Sequence, residues 1–478
     1  MSTGSTTIDR ASSHARGARI AARAPVASPS ATKRMLYISY PFPPVGGAGV
    51  QRTTKFVKYL PEHGWTPSVL TVANPSVPAM DQSLLADIPP QVTVRRARTW
   101  EPGYETKAAV SPPSGDAGRS ARMGLKSLAK GLAGRLAKLI LQPDPQILWM
   151  PDALREGRRL LSEMPHAAIL ASGPPFSTFL IAASLSRRAG LPLVLDYRDE
   201  WDISNAYLEN KRLDPLSLLL QSRMQDSVVR TAKMLIATTR HSASALQAIC
   251  HRAGSNATVQ WIYNGFDPDD FTWAKTVETP KKDSYRLAYV GTLWNLTDVQ
   301  PLVKGIEQLS QRNPEVARKL ELVIAGRRTA EQSQVLARLR GLPCRLVEHP
   351  YLDHSGAVEL IESADGLCVL LSDVPSADRV VPAKIFEYMA AKRAIIAIGP
   401  RGEMWDILQK APFARLNVPA DVSGIADTLS AEITRVSEGL PLDFGRFDPS
   451  PYDRRSEAGQ LAEVLDSLTQ GRTAADRL

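Results

Sequence analysis

The sequence predicts an α/β protein built from two tandem, Rossmann-like, doubly wound parallel-sheet domains. Two observations support this prediction. Short β-rich runs alternate with stretches of helical apolar spacing along the chain, which is typical of parallel sheets. The alternation restarts after a polar stretch at 278–284, and each half has about the size of one such domain.

Length and composition agree with this architecture. The chain has 478 residues, of which 44% are hydrophobic and 22% charged, an ordinary globular composition. No run approaches the roughly 18 apolar residues that a membrane-spanning helix needs. The three cysteines are far apart and odd in number, which favours neither a disulfide framework nor a metal site and indicates a reducing compartment.

The net charge of +9 is concentrated in two segments. Residues 1–34 carry six basic side chains and one acid, and residues 117–143 carry six basic side chains and no acid. The remaining chain is therefore close to neutral. Two local basic segments are not the footprint of a general nucleic-acid binder, so we expect no nucleic-acid partner but a local contact with something anionic.

The first domain is expected at 35–280. Residues 1–34 are rich in Ser, Thr, Ala and Arg, which predicts a disordered basic tail, with an organellar transit peptide as the alternative. Strands of the first domain are expected at 35–39, 68–72, 92–94, 168–171, 193–195, 234–237 and 259–262.

The second domain is expected at 281–445. One of its helices is predicted from about Pro382 to Ala391, where proline suits the first turn. Residues 446–478 are predicted to form a crossing segment, an amphipathic helix at 452–468 and a tail. Strands of the second domain are expected at 286–290, 320–324, 345–347, 367–371 and 395–398.

A glycine loop, Gly46-Gly47-Ala48-Gly49, lies between the first predicted strand and the first helix. Glycines in this position let backbone amides approach an anion at a helix N-terminus. The loop lacks the last glycine of a dinucleotide fingerprint, and no acid follows about 20 residues later, which disfavours dinucleotide redox chemistry. A tight turn without a ligand is the alternative.

Lys384 and Glu387 are three residues apart in the late predicted helix and therefore lie on one helical face. One interpretation is an exposed ion pair of little energetic value. The other assigns Glu387 to a ribose diol and Lys384 to a phosphate, with the positive potential of the helix start adding to the attraction.

Six motifs in the stretch from about 35 to 470 together resemble the retaining GT-B glycosyltransferases of family 4. The first strand and its glycine loop resemble the opening of that family, and the late helix resembles its "PxKxxEYMAxG" motif. Each motif alone is weak, but their order and spacing make the set specific. The four others are Trp261-Ile262-Tyr263-Asn264-Gly265-Phe266-Asp267, Tyr289-Val290-Gly291-Thr292, Leu322-Val323-Ile324-Ala325-Gly326 and Ser363-Ala364-Asp365.

The resemblance implies that two domains face each other across a cleft, with a nucleotide-diphosphate sugar mainly on the second domain and the acceptor on the first. It also implies that the transfer retains the anomeric configuration and that the enzyme requires no metal or other cofactor. Glu387 would hold the donor ribose and is a candidate catalytic residue. Gly46 and Gly47 would approach the diphosphate and sugar from the opposite domain, and Gly291 and Thr292 belong to the motif that opens the donor domain.

The sequence departs from the family pattern at two places. The family often has a second acid eight residues before the helix glutamate, and this position is Arg379 here. The basic pair that many members carry just after the glycine of the "vG" motif is absent. We therefore assign the phosphate role to Lys384, with Arg379 or Arg327 assisting.

The segment Leu195–Asp202 follows a predicted strand and resembles the "DvRDxW" segment of related bacterial sugar transferases. Carboxylates at the end of a strand are well placed to orient an acceptor hydroxyl, so we place Asp199 in the acceptor cleft as a second catalytic candidate. Helix capping or pairing with Arg198 is the alternative. Ser172, at the end of another strand, lines the same pocket or belongs to a turn that the following prolines impose.

The basic stretch from Leu125 to Leu141 places its leucines on one helical stripe, with Lys126, Lys130 and Lys138 elsewhere. One interpretation is a helix that lies on an anionic membrane surface. The alternative is a surface helix whose leucines pack on the first domain.

The resemblance, together with this basic stretch, implies a glycosyltransferase that extends a lipid-linked glycan in exopolysaccharide or cell-surface polysaccharide biosynthesis. We expect it in the cytoplasm, peripherally bound at the inner face of the cell membrane. Two alternatives remain: a nucleotide-sugar epimerase of the same fold, and a non-catalytic scaffold that binds sugar nucleotides. The missing acid and the missing basic pair are the observations that favour the scaffold.

Overall fold

The computed structural model describes residues 33–77, 80–103, 140–205, 213–271 and 283–470. These residues form two parallel sheets, one of seven strands and one of six. The strand order is β3-β2-β1-β4-β5-β6-β7 in the first sheet and β10-β9-β8-β11-β12-β13 in the second. Every strand pair is parallel, so the predicted architecture of two α/β domains is confirmed.

The first sheet alternates with helices along the chain. Its strands are β1 (Lys33–Ser39), β2 (Trp65–Val72), β3 (Thr93–Ala97), β4 (Ala168–Gly173), β5 (Leu193–Tyr197), β6 (Met234–Ala237) and β7 (Thr258–Trp261). Its longer helices are α1 (Ala48–Tyr59), α2 (Met150–Glu163), α3 (Ser177–Ala189), α4 (Pro215–Thr231) and α5 (Arg240–Ala253).

The second sheet repeats this arrangement. Its strands are β8 (Tyr285–Val290), β9 (Leu320–Ala325), β10 (Arg345–His349), β11 (Gly366–Leu370), β12 (Ala394–Ile398) and β13 (Ala414–Asn417). Its helices are α6 (Gln300–Arg312), α7 (Pro314–Arg318), α8 (Ala330–Ala337), α9 (His354–Ser363), α10 (Lys384–Ala390), α11 (Glu403–Leu408) and α12 (Val422–Ser437).

Two details differ from the prediction. β1 begins at Lys33, so Lys33 and Arg34 belong to the sheet and not to the tail that we expected over 1–34. The side chain of Lys33 forms an ion pair with Asp466, 2.8 Å away, which brings this strand end into the fold.

The sixth strand of the second sheet, β13, was not predicted, because half of its four residues are polar and it lies at the edge of the sheet. The expected tail up to residue 32 and the basic stretch up to residue 139 lie outside the described residues.

The first sheet is covered on both faces, as parallel sheets require. Leu36 and Ile38 of β1 belong to one apolar cluster, and Met35 and Tyr37 belong to the other. This alternation follows from the two-residue period of a strand. The near-continuous apolar run of β1 is therefore explained by burial on both sides.

The last described helix, α13 (Arg454–Thr469), crosses from the second domain back to the first. Its residues Leu461 and Leu465 are fully buried in the cluster that contains Met35 and Tyr37 of β1, together with Phe56 and Trp65. Trp65 also donates its Nε1–H to Asp466, 3.0 Å away. The end of the chain thus completes the core of the domain in which the chain begins.

We predict that Leu461→Ala lowers the free energy of unfolding by about 2–5 kcal/mol, because it leaves a cavity in this core. Urea denaturation followed by circular dichroism measures the effect. The matched control is Leu440→Ala, at a leucine that is 49% exposed in the second domain, for which we expect a change within about 0.5 kcal/mol. Equal losses for the two variants would contradict the packing of α13 on the first domain.

Candidate functional site

A pocket of about 390 Å³ lies between the two domains. Residues after β5 form its wall on the first domain, and the segment that leads into α10 forms its wall on the second domain. Ligands in open α/β sheets bind beyond the carboxyl ends of the strands, which is where this pocket is found. The residues that line it include Gly49, Pro174, Arg198, Asp199, Glu200 and Arg379.

Asp199 lies in this pocket and is half-buried. Among the described residues, no hydrogen bond reaches its carboxylate. Burial raises the pKa of Asp199 above its usual value, and the nearby charge of Arg198 opposes this only in part. Its carboxyl group can therefore hold or release a proton closer to neutral pH than an exposed aspartate can.

Arg198 forms a wall of the pocket and does not pair with Asp199 through a hydrogen bond. Its guanidinium donates to the backbone oxygens of Gly49, at 2.7 Å, and Pro174. Burial lowers the pKa of Arg198, while the charge of Asp199 acts in the opposite direction. Arg198 thereby fixes the start of α1 against the turn that follows β4.

Arg379 forms an ion pair with Glu200 across the domain boundary, with 2.7 Å between its Nη1 and the carboxylate. Ser242 donates to the other carboxylate oxygen of Glu200, also at 2.7 Å, and Thr239 donates to the backbone oxygen of Arg379. Our prediction that Arg379 assists at a diphosphate stays a prediction. Its guanidinium is already engaged with a carboxylate of the opposite domain.

Ser172 does not line the pocket, contrary to our expectation. Its side chain is fully buried, and its hydroxyl donates to Asp196, 2.8 Å away. Asp196 also forms an ion pair with Arg52 of α1 at 2.9 Å, and both side chains are almost completely buried. Arg52 in turn donates to the backbone oxygen of Tyr263, at 2.8 Å. In the sequence, Arg52 stands where the fingerprint G-x-G-x-x-G, counted from Gly47, would have its last glycine.

A second group of predicted residues meets at the start of the second domain. The ammonium of Lys384 lies 4.0 Å from the centre of the Tyr289 ring. A Cβ atom added to Gly291 would lie 2.6 Å from the same nitrogen, and the φ angle of Gly291, +145°, also favours glycine. Two motifs that are far apart in sequence, one with Gly291 and one with Lys384, are thus in contact.

Lys384 has no carboxylate partner among the described residues, so the exposed ion pair with Glu387 does not form. Thr292 and Arg327 lie at the carboxyl ends of the neighbouring strands β8 and β9, and both are exposed. The backbone oxygen of Thr292 accepts a hydrogen bond from Tyr289, at 2.9 Å. In this corner of the second domain, Lys384 is therefore a cation that lies on an aromatic ring and has no carboxylate partner among the described residues.

Glu387, on α10, is half-buried, and no hydrogen bond from the described residues reaches its carboxylate. Burial raises the pKa of Glu387, whereas the charges of His354 and Arg454 lower it. His354 is itself held across the domain boundary, because its Nε2 lies 2.9 Å from a carboxylate oxygen of Asp270. Glu387 is thus surrounded by charged groups from both domains.

The glycine loop of the first domain reaches the second domain at Tyr351. A Cβ atom added to Gly46 would lie 2.7 Å from the phenol oxygen of Tyr351. Gly47, the residue before α1, has a φ angle of +107°, which side chains rarely adopt. The sequence analysis did not identify Tyr351 as a site residue. Its position just after the carboxyl end of β10 could have indicated it, because ligands bind beyond the carboxyl ends of the strands in open α/β sheets.

One cluster of three carboxylates, Asp87, Asp267 and Asp270, has the spacing of a metal site. The ammonium of Lys55 lies 2.6–3.0 Å from an oxygen of each, so a protein cation already occupies its centre. Burial would raise the pKa of Asp267, but Lys55 and Lys58 outweigh this effect and hold it well below its usual range. We found no other cluster of this kind in the described parts of the chain.

The three lysines that we assigned to a membrane contact, Lys126, Lys130 and Lys138, lie outside the described residues. None of the helices described is long and apolar enough to span a bilayer.

No protein-family model and no curated protein matches the chain, but solved structures match over most of its length. HepE of Anabaena, in complex with UDP and glucose, is 17% identical with a TM-score of 0.56, and the match covers 91% of this chain and 100% of HepE. Sucrose-phosphate synthase of Thermosynechococcus elongatus is 13% identical with a TM-score of 0.53, covering 93% and 98%. WaaG, a glycosyltransferase involved in lipopolysaccharide biosynthesis, is 13% identical with a TM-score of 0.52, covering 91% and 100%. The two facing parallel-sheet domains of this chain have the GT-B fold.

Proposed function

We propose that the protein is a retaining glycosyltransferase that moves a sugar from a nucleotide-diphosphate donor to a lipid-linked glycan. The observation that carries this proposal is the arrangement on the second domain. Lys384, a cation with no carboxylate partner among the described residues, lies against Gly291, and Glu387, whose carboxylate receives no hydrogen bond from those residues, lies one helical turn further on. A nucleoside diphosphate presents the complementary groups, an anionic diphosphate and a ribose diol.

Lys384 would bind the donor diphosphate as a point charge. The absence of a side chain at Gly291 is what leaves room for its ammonium, since a Cβ would lie only 2.6 Å away. In glycosyl transfer the nucleoside diphosphate departs with additional negative charge, so a fixed cation stabilises the transition state more than the ground state. The exposed Arg327 would assist it, whereas Arg379 is engaged with Glu200.

Glu387 would accept hydrogen bonds from the two ribose hydroxyls. Burial disfavours its ionised form and raises its pKa, and the charges of His354 and Arg454 offset this only in part. An ionised carboxylate binds a diol more strongly than a neutral acceptor does. HepE was also solved with UDP-glucose, which supports a nucleotide sugar as the donor class for this fold.

Asp199 would orient the acceptor hydroxyl in the pocket between the domains. Its raised pKa suits a group that shares a proton with a hydroxyl during transfer. The glycine loop with Gly46 and Gly47 would close the donor site from the first domain. The role of WaaG in lipopolysaccharide biosynthesis supports a cell-surface polysaccharide as the product. An enzyme with this product and a lipid-linked acceptor would work at the cytoplasmic face of the membrane.

We predict that Glu387→Ala lowers transfer by about 100-fold or more, because the charge-assisted bonds to the donor are lost. The assay follows labelled sugar from a donor, chosen by a thermal-shift screen of nucleotide sugars, into extracted membrane glycolipids. Glu359→Ala, at an exposed position of α9, is the matched control and should transfer normally. Wild-type rates for Glu387→Ala would instead favour a binding scaffold, and product formed without glycolipid would favour an epimerase.

We predict that Lys384→Ala weakens donor binding by about 10- to 100-fold while acceptor binding changes little. Calorimetric titration with the donor and with its free nucleoside diphosphate measures this. The matched control is Lys410→Ala, an exposed lysine near the end of α11, for which titrations should equal those of the wild type. Identical donor titrations for Lys384→Ala and wild type would refute the phosphate assignment.

We predict that replacing Lys126, Lys130 and Lys138 by glutamine releases the protein from anionic vesicles. Each cation near such a surface contributes about 1 kcal/mol, so the triple variant should bind about 100-fold more weakly. Co-sedimentation with vesicles is the measurement. The control replaces three exposed lysines elsewhere, Lys233, Lys304 and Lys410, and should leave binding unchanged. Unchanged co-sedimentation of the first variant would contradict this membrane contact.

A further inference from the structure

The first domain carries an excess of carboxylates where it meets the start of α9. Four aspartates each lie within 3.0 Å of the ammonium group of Lys55 or Lys58. Four carboxylates thus face two cations, and two negative charges remain in excess. A further positive charge at this boundary is therefore stabilised. We call these aspartates, Asp87, Asp267, Asp269 and Asp270, the boundary aspartate cluster.

His354, the first residue of α9, reaches this cluster from the second domain. Its Nε2 lies 2.9 Å from one carboxylate oxygen of Asp270, whose other oxygen lies 3.0 Å from the ammonium of Lys55. Its backbone N–H donates to one oxygen of Asp81, at 3.0 Å, and the other oxygen of Asp81 accepts from the amide of Ser83. Both aspartates are thus fixed within the first domain, and together they hold His354 in one orientation.

The start of α9 also belongs to the surroundings of Glu387. Val358, one helical turn after His354, shares an apolar cluster with Phe386, the neighbour of Glu387 on α10. Phe271, which directly follows Asp270 in the chain, belongs to the same cluster. The packing therefore brings together the helix that begins at His354, the helix that carries Glu387 and the segment that carries the partner of His354.

His354 interacts with a carboxylate of each domain. Burial lowers the pKa of His354, but the hydrogen bond and charge of Asp270, and then the charge of Glu387, outweigh this and raise it above its usual value. The charge of His354 acts in turn on Glu387 and favours the ionised carboxylate. The imidazolium form of His354 therefore suits both partners. The other charged groups packed around it are the rest of the boundary aspartate cluster, Asp81, Asp353, Lys55 and Lys58.

We propose that His354 is a positioning residue for the donor: its imidazolium, held by Asp270 of the first domain, keeps the carboxylate of Glu387 ionised for the ribose hydroxyls. This inference rests on the donor role of Glu387 in the proposed function and extends it to the group that controls this carboxylate. Asp270 contacts His354 only when the two domains have this orientation. Donor binding on the second domain is thereby coupled to the position of the first.

The test is calorimetric titration with the nucleotide sugar found in the thermal-shift screen, at values between about pH 5 and 9. Wild-type affinity should fall as the pH rises through the raised pKa of His354, because the imidazolium is lost above it. His354→Gln keeps an N–H for Asp270 but carries no charge. At about pH 6 it should bind the donor about 10-fold more weakly than the wild type, and at the alkaline end the two should bind equally.

A second variant tests the coupling to the first domain. Asp270→Asn removes the carboxylate that favours the imidazolium, so the fall in donor affinity should occur at a lower pH than in the wild type. The matched control is His251→Gln, at an exposed histidine near the end of α5, which should follow the wild type at every pH. His354→Gln keeps the hydrogen bond and decides the proposal should Asp270→Asn fail to fold.

The possible failures can be told apart. Wild-type affinity of His354→Gln at every pH would overturn the proposal even if Glu387→Ala loses the donor. A loss of the same factor at every pH would also overturn it, in favour of a purely structural contact. An unshifted pH profile for Asp270→Asn would refute the coupling to the first domain. Wild-type donor affinity of Glu387→Ala would instead contradict the ribose assignment of the proposed function, and this proposal with it.

Discussion

The buried ion pair between Arg52 and Asp196 fixes the geometry on which the candidate site depends. Both side chains are almost completely removed from water, so either charge alone would be costly, and each keeps the other in place. The pair joins α1, which begins at the glycine loop, to the end of β5, which leads to Asp199. Arg52 also holds the backbone of Tyr263, in the turn that precedes the second domain. One guanidinium therefore sets the relative positions of the loop, the acceptor pocket and the exit from the first domain.

Contacts between the two domains are also made largely by buried charges. Glu403 of α11 is fully buried and accepts hydrogen bonds from Tyr263, at 2.6 Å, and from the first two amides of α5, each at 2.7 Å. Lys55 is surrounded by three aspartates, of which Asp270 also binds His354 of the second domain. Charged groups of this kind are satisfied only in one arrangement, whereas apolar surfaces can slide. Such contacts favour a defined orientation of the two domains, and the position of Glu387 relative to Asp199 depends on that orientation.

Much of the fold could be predicted because the strands are buried on both faces and read as apolar runs, as in Met234–Ala237, where prediction and structure agree residue by residue. β13 was not predicted, because this short edge strand contains Arg415 and Asn417 and lacks such an apolar run. The contact between Gly291 and Lys384 could be anticipated from motifs, since each motif has its own local signature. The burial of Ser172 and the pair between Arg379 and Glu200 could not, because they depend on partners 24 and 179 residues away in the chain. Local patterns show which residues carry charge, but only the folded chain shows which charges are already paired.

These pairings bear on the two departures from the family pattern that favoured a non-catalytic scaffold. The position at which members of the family in question often carry an acid is Arg379, and the carboxylate beside it, Glu200 of the opposite domain, is already paired with its guanidinium. The basic pair after Gly291 is missing, yet a cation lies against Gly291, since Lys384 extends over Tyr289 towards it. Positive charge is thus supplied beside Gly291 by a residue of another motif. An electrostatic site depends on where charges lie and not on which strand or helix carries them, so the missing basic pair is compatible with a working donor site.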